Sequence, residues 1–368
     1  MIMSQTYEGP ALPKTMKAVV AYAPGDYRLE ERPVPVPGPG EVVIRVKSTG
    51  ICASDIKCYG GAAHFWGDET RPAWVQAPVI PGHEFVGEVV ALGEGAGEQY
   101  KLAIGDHATS EQIVPSGGCK YSREGHYWMD VEHNIYGFRK KTQGSWAEYC
   151  LFPKGALNFK VPPQIPWHHA VFAEPLACSL HAVERGDIKF RDTVVVAGCG
   201  PLGLGMVIGA KQKGAGCVVA LDLKDDRLAV AKKTGADVVI NISKEDAVQK
   251  VRDLTDGYGC DVYIEATGHP SAVEQGLQMI RKLGTFVEFS VMREKVTVDW
   301  TIIGDGKELN IHGAHLSPYT YPKAIEIIGA GLLPMDEIVT HRLPLADYQK
   351  GIDMVINGLT SVKVTLEP

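Results

Sequence analysis

Thr193-Val194-Val195-Val196-Ala197-Gly198-Cys199-Gly200-Pro201-Leu202-Gly203 is the stretch whose reading decides the fold. Its first five residues are apolar or β-branched, the composition of a strand buried on both faces. A Gly-x-Gly-x-x-Gly spacing follows at once, with Pro201 where a first helical turn tolerates proline. Alone, that spacing is weak. Here a strand precedes it, a helical stretch to about 213 follows it, and Asp222 ends the next apolar run at 217–221. In that setting Gly198 makes the tight turn, Gly200 lets backbone approach a pyrophosphate, and Gly203 packs helix against strand. Pro201 and Leu202 belong to the same cofactor-binding turn, and the helix N-terminus offers amides to phosphate. Asp222 would bond ribose hydroxyls and repel a 2′-phosphate, which favours NAD over NADP. Lys224 and Arg227 point the other way, since either could meet a phosphate. The bland alternative is a glycine turn with no ligand, and the coincidence of strand, turn, helix and acid argues against it.

Downstream the alternation continues. Strands are expected at 217–221, 238–242, 261–265, 285–290 and 309–313, with helices at 225–233, 244–255 and 271–282 between them. With 193–197 that makes six strands in an α/β, doubly wound parallel sheet. Upstream the texture is β. Segments 16–22, 27–31 and 42–47 alternate apolar and polar residues, and 82–93, 105–111 and 146–152 add further strands. Residues 53–80 read as a long irregular segment rich in aromatics (Tyr59, Phe65, Trp66, Trp74), and a loop of that length is more often functional than idle. The expected organisation is a β-rich catalytic domain over 1–176 and 314–368, interrupted by a dinucleotide-binding domain over 177–313.

Composition narrows the partners. A net charge of −7 with no basic block gives no support for nucleic acid or an anionic membrane surface. Residues 1–13 are polar, so no signal peptide is expected, and no apolar run approaches a membrane span. Eight scattered cysteines do not form a disulfide framework, and a reducing cytoplasm is expected.

Three separated stretches carry metal-ligand chemistry: Gly50-Ile51-Cys52-Ala53-Ser54-Asp55, Pro81-Gly82-His83-Glu84, and Ala173-Glu174-Pro175-Leu176. Catalytic zinc takes three ligands from Cys, His and carboxylate and keeps one position open. Cys52 and His83 supply two, and the third is Glu84 or Glu174. Singly, Cys52 reads equally as a small buried residue and Glu174 as a charge at a helix start. A nearby hydride acceptor favours the joint reading.

These motifs, in this order, resemble the zinc-dependent medium-chain dehydrogenases, and within them the polyol (sorbitol-type) branch, over essentially the whole chain. The resemblance implies a GroES-like catalytic domain, one catalytic zinc, and NAD-linked oxidation of a secondary hydroxyl. Zinc would lower the pKa of that hydroxyl, and Ser54 would accept its proton. Glu174 is counted with the catalytic residues as well as the ligands. Phe289, Ser290 and Leu316 join the cofactor set, and a homodimer or homotetramer is expected. Where many relatives carry a relay His, this chain has Lys57, so the relay does not carry over as it stands; Lys57, counted with the catalytic residues, either holds a substrate hydroxyl or is merely a solvated lysine. Many relatives also bind a structural zinc through four cysteines. The matching residues here are Ser116, Cys119, Ser122 and Asp130, so that zinc is expected to be absent and the lobe held by packing around Tyr127 and Trp128. A substitute site from Cys119, His126 and Asp130 is the lesser alternative. Sorbitol-type relatives carry Phe-Arg-Tyr where this chain has His315-Leu316-Ser317, which argues against sorbitol and for a different, shorter polyol; the resemblance as a whole implies one of four carbons. The rivals are a threonine-type secondary-alcohol dehydrogenase and a non-catalytic dinucleotide-binding protein, against which the intact ligand set argues.

Overall fold

The computed structural model describes residues 7–292, 294–358 and 361–368. The valine run is the strand Thr193–Ala197, third in a six-stranded sheet. Its neighbours in order are Val238–Asn241, Cys217–Asp222, Thr193–Ala197, Cys260–Glu265, Ile280–Glu288 and Asn310–Gly313, and every pairing is parallel. Helices Pro201–Gln212, Asp225–Thr234, Ala247–Asp253 and Pro270–Met279 provide the crossovers. One face of the sheet buries Val195, Val219, Tyr263 and Phe286 in a common core.

Two helices differ from expectation at their ends. Lys244 and Glu245 turn back to the Asn241 carbonyl, and the Asp246 side chain caps the helix, which therefore starts at Ala247 and ends at Asp253. The helix expected over 271–282 stops at Met279. Lys307 Nζ donates to the carbonyls of Leu277, Gln278 and Ile280 there, satisfying a helix end, and the strand begins at Ile280.

The remaining sheet runs Val339–Pro344, Lys363–Glu367, Val42–Gly50, Phe85–Gly93, His107–Ser110 and Asn158–Lys160. Tyr7–Glu8 adds to Phe85–Gly93, Tyr149–Phe152 adds to Val42–Gly50, and a hairpin of Thr15–Ala23 with Asp26–Pro33 stands beside them. Val42, Ile44, Val46, Phe85, Val89, Tyr136 and Phe152 fill its core. The segment 82–93, readable as two short strands or one bent one, holds a single strand, Phe85–Gly93, with two register shifts against its neighbour. The segment 53–80 is not irregular throughout. It holds the helices Ala53–Tyr59 and Ala63–Trp66, the first closed by Asp55 accepting from the Cys52 amide at 2.9 Å.

The chain divides into two compact units, one running to Glu174 and resuming at Val339–Pro368, the other Pro175–Ile338. The return therefore comes at 338/339 rather than 313/314. The reason is local: Thr320 Oγ1 donates to the Ala177 carbonyl at 2.8 Å, and helix Tyr321–Gly329 buries Tyr321, Ala324, Ile325 and Ile328. Among the described residues no helix is long and apolar enough to cross a membrane. Of the polar stretch 1–13, residues 1–6 lie outside the described residues.

Candidate active site and cofactor-binding turn

Three strand ends of the first unit meet at one place. Gly50 closes the strand Val42–Gly50, Phe85 opens its antiparallel partner, and Thr365 in Lys363–Glu367 pairs with Gly50 from the other side. The junction is clamped. The Glu84 carbonyl accepts from Gly50 N at 2.8 Å and from Thr49 Oγ1 at 3.0 Å, Ile51 N donates to the Val364 carbonyl at 3.0 Å, and Trp146 Nε1 donates to the Gly50 carbonyl at 3.2 Å. Cys52 and His83-Glu84, 31 residues apart in sequence, are thereby fixed side by side.

Ligand atoms of Cys52, His83 and Glu84 all lie within 4.8 Å of one another. His83 and Glu84 are buried, Cys52 half-buried. A thiol, an imidazole and a carboxylate around one buried point fit zinc with a position left for a further ligand. Asp55 does more than accept from the Cys52 amide. Its Oδ1 lies 3.5 Å from His83 Nδ1, so it faces the ring nitrogen turned away from Ser54, whose Oγ is 3.3 Å from Nε2. Burial alone would lower the His83 pKa, but Asp55 and then Cys52 outweigh it and hold it well above the ordinary value. A carboxylate behind a histidine fixes ring orientation and raises ligand basicity.

Glu174, at the start of helix Ala173–Arg185, is buried but is not in the close cluster. Its charge reaches Lys363 and Glu111. Lys57 is half-buried on helix Ala53–Tyr59, one turn beyond Ser54. Three further neighbours escaped sequence reasoning. Lys363, 3% exposed, forms an ion pair with Glu84 Oε2 and donates to the Ile51 carbonyl at 3.0 Å. Burial pulls its pKa down, and Glu84, then Cys52, reverse that, leaving it raised. Gly50 makes the pair possible, since a Cβ there would overlap Glu84 Oε2 and crowd Lys363 Cε. Glu111 is fully buried and accepts from Tyr127 OH at 3.0 Å; burial first, and Glu174 to a lesser degree, push its pKa up to about 8. Phe138 packs 5.5 Å from the His83 ring, continuing through Phe65 and Trp74 at 5.1 and 5.2 Å. The aromatic segment is thus a ring stack ending on His83. A lysine inside the run Val362-Lys363-Val364-Thr365-Leu366 was the one available signal; Glu111 and Phe138 gave none.

The lobe at 116–130 is built on a carboxylate. Asp130 Oδ2 accepts from Ser116 N at 3.2 Å, Ser116 Oγ at 2.8 Å, Cys119 Sγ at 3.4 Å, and Ser122 Oγ. Hydrogen bonds to one atom, rather than Tyr127 and Trp128 packing alone, draw these positions together. Among the described residues Cys119, His126 and Asp130 do not come close enough to share a metal.

In the second unit the glycine-rich turn has the expected form. Gly198 sits at φ +99°, and a Cβ on Gly203 would overlap the Gly198 carbonyl. Gly200 caps the helix that Pro201 and Leu202 open. Asp222 Oδ2 accepts from the Cys199 amide at 2.8 Å and Oδ1 from the Lys224 amide at 3.0 Å, so the carboxylate stands over the turn. Arg227 lies in the first turn of the next helix. Phe289 and Ser290, half-buried, follow the strand Ile280–Glu288, and Leu316 adopts a left-handed φ of +56°. At the ends of adjacent strands Glu288 pairs in register with Glu265; burial, then Glu265, raise the Glu288 pKa to about 7.

Residues 38–163 match the alcohol dehydrogenase GroES-like domain, and 201–330 the zinc-binding dehydrogenase family. The chain is 57% identical to the erythritol/L-threitol dehydrogenase of Mycolicibacterium smegmatis, over 97% of this chain and 99% of that protein. It is 36% identical to the L-threonine 3-dehydrogenase of Pyrococcus horikoshii, over 94% and 97%. The crystal structure of 2R,3R-butanediol dehydrogenase from Bacillus subtilis superposes with a TM-score of 0.84 at 30% identity, over 96% and 99% of the two chains. A donor set suited to zinc, a dinucleotide turn and full-length relatives agree: the chain belongs to the zinc-binding alcohol dehydrogenase family and is an oxidoreductase of that class.

Proposed function

We propose that this enzyme oxidises a secondary hydroxyl of a four-carbon polyol, erythritol or L-threitol, to the ketose, with NAD as hydride acceptor and one zinc per chain. The observation that carries the reading is the convergence of Cys52, His83 and Glu84 within 4.8 Å. The 57% identical relative supports the substrate class. Zinc held by Cys52, His83 and Glu84 or Glu174 would supply Lewis-acid polarisation of the hydroxyl, and NAD the hydride acceptor. Ser54, in contact with the ligand His83, accepts the hydroxyl proton. Lys57, one turn further along the same helix, either passes it outward or holds a second hydroxyl. Asp55 keeps the His83 ring in place. The ring stack of Phe138, Phe65 and Trp74 keeps water from one side of the imidazole. Glu174 stands close by as an exchanging ligand or an anion facing the substrate. Asp222 meets the adenosine ribose, Gly198, Gly200 and Gly203 admit the pyrophosphate, and Phe289, Ser290 and Leu316 face the nicotinamide end. The chain assembles as a homodimer or homotetramer, supported by the open sheet edge Asn310–Gly313 with Ile311 exposed. Its eight free cysteines support a reducing, cytoplasmic setting.

The test is NADH formation across erythritol, L-threitol, sorbitol and L-threonine. A four-carbon polyol is expected to give the highest kcat/KM, by at least about tenfold over sorbitol because an unfilled or overfilled pocket discriminates on that scale. No turnover of any C4–C6 polyol would sink the proposal, and preference for L-threonine would replace it.

A further inference from the structure

A lysine buried in a β-strand is rare unless an anion pairs with it. Lys363 is 3% exposed and Glu84 2% exposed on their side chains, and the two form an ion pair. Lys363 also donates to the carbonyl of Ile51, the residue before Cys52. The strand Lys363–Glu367 that carries it is locked between Val339–Pro344 and Val42–Gly50, so it cannot withdraw. Gly50 leaves the space into which both side chains fit.

We propose that Lys363 is a resident cation standing in for the metal: it neutralises Glu84 when the site is empty of zinc, keeps the ligand set assembled, and competes with zinc for that carboxylate. Lys363 is therefore a positioning residue acting through Glu84. The inference rests on the zinc reading above and adds a property of the metal-free protein. A thiolate and a carboxylate, the forms in which Cys52 and Glu84 would hold zinc, repel one another in a buried site. Without Lys363, Glu84 would lose its buried ion-pair partner, and the zinc-free fold would suffer most. Zinc, once bound, would relieve that penalty. The stabilisation that Lys363 gives to the empty site is, by linkage, subtracted from zinc affinity.

The test measures the thermal midpoint of zinc-loaded and zinc-stripped full-length protein, and zinc affinity by competition with a chromogenic chelator. For Lys363→Met the stripped form is expected to melt well below stripped wild type, the loaded form to fall much less, and zinc affinity to rise by roughly tenfold or more, the scale of one unpaired buried charge. Lys363→Arg keeps the charge and is expected to restore both readings toward wild type. In a Glu84→Gln background, Lys363→Met is expected to lose its selective effect on the stripped form. Equal destabilisation of both forms, or unchanged or weaker zinc binding, would mean that Lys363 is only a structural lysine. Should Lys363→Met fail to fold, recovery of folding in the Glu84→Gln, Lys363→Met double variant supports the proposal and continued failure overturns it. Wild type that takes up no zinc would remove the metal reading itself. Wild type that takes up zinc with an affinity indifferent to Lys363→Met would remove only the role of Lys363.

Discussion

In the proposed function, Asp222 is the residue on which the preference for NAD rests. Its carboxylate is fixed over the glycine-rich turn by the Cys199 and Lys224 amides, and a carboxylate held there faces a ribose rather than a phosphate. Asp222→Ala removes the repulsion toward a 2′-phosphate while leaving Lys224 and Arg227 nearby. The NAD over NADP ratio of kcat/KM is expected to fall by about 10- to 100-fold, the value of one or two charged hydrogen bonds. Wild type already preferring NADP would contradict the assignment. At this scale the sequence was readable wherever a residue stands in a motif with its own chemistry, as Cys52, His83 and Asp222 do. It was opaque where a role comes from a neighbour distant in the chain. Asp55 reads as a helix start until His83 lies 3.5 Å away, and Lys363 reads as an ordinary strand residue until Glu84 is paired with it.

Among the elements, the lobe at 116–130 and the buried Glu111 make separate demands. Asp130 gathers Ser116, Cys119 and Ser122 through one oxygen. Asp130→Ala would strand those donors at about 1–3 kcal/mol of local stability. Faster amide exchange over 115–133 is expected, with no recovery on adding zinc; protection equal to wild type would show that packing alone suffices. Glu111 keeps its proton in the fold up to about 8, against an ordinary value of 4.5. The folded chain therefore binds a proton that the unfolded chain releases between those values. Stability from this group is complete below pH 4.5 and is lost as pH rises through 8, with a slope of up to about 1.4 kcal/mol per pH unit. Glu111→Gln is expected to flatten that slope in chemical denaturation from pH 5 to 8; an unchanged slope would place the proton elsewhere. Element type was legible from period and composition through most of the chain. The ends were not, because Asp246, Lys307 and Asp55 set them through side-chain hydrogen bonds that periodicity does not register.

For the molecule as a whole, an alternating α/β unit is inserted into a β-rich one. The insertion was visible in the change of texture near residue 170. The compact units part at Ile338 and Val339, beyond the 313/314 boundary that texture suggests, because Thr320 and the helix Tyr321–Gly329 pack with the second unit although their sequence resembles neither pattern strongly. The proposed function requires a single zinc held at the junction of Gly50-Ile51-Cys52 and His83-Glu84. Elemental analysis of the purified protein, beside its Cys52→Ala variant, tests it most directly. About one zinc per chain is expected in wild type and almost none in the variant, with NADH formation lost and NAD binding kept. Two zincs in wild type would contradict the reading of the Asp130 lobe; none, or one that survives Cys52→Ala, would contradict the site itself.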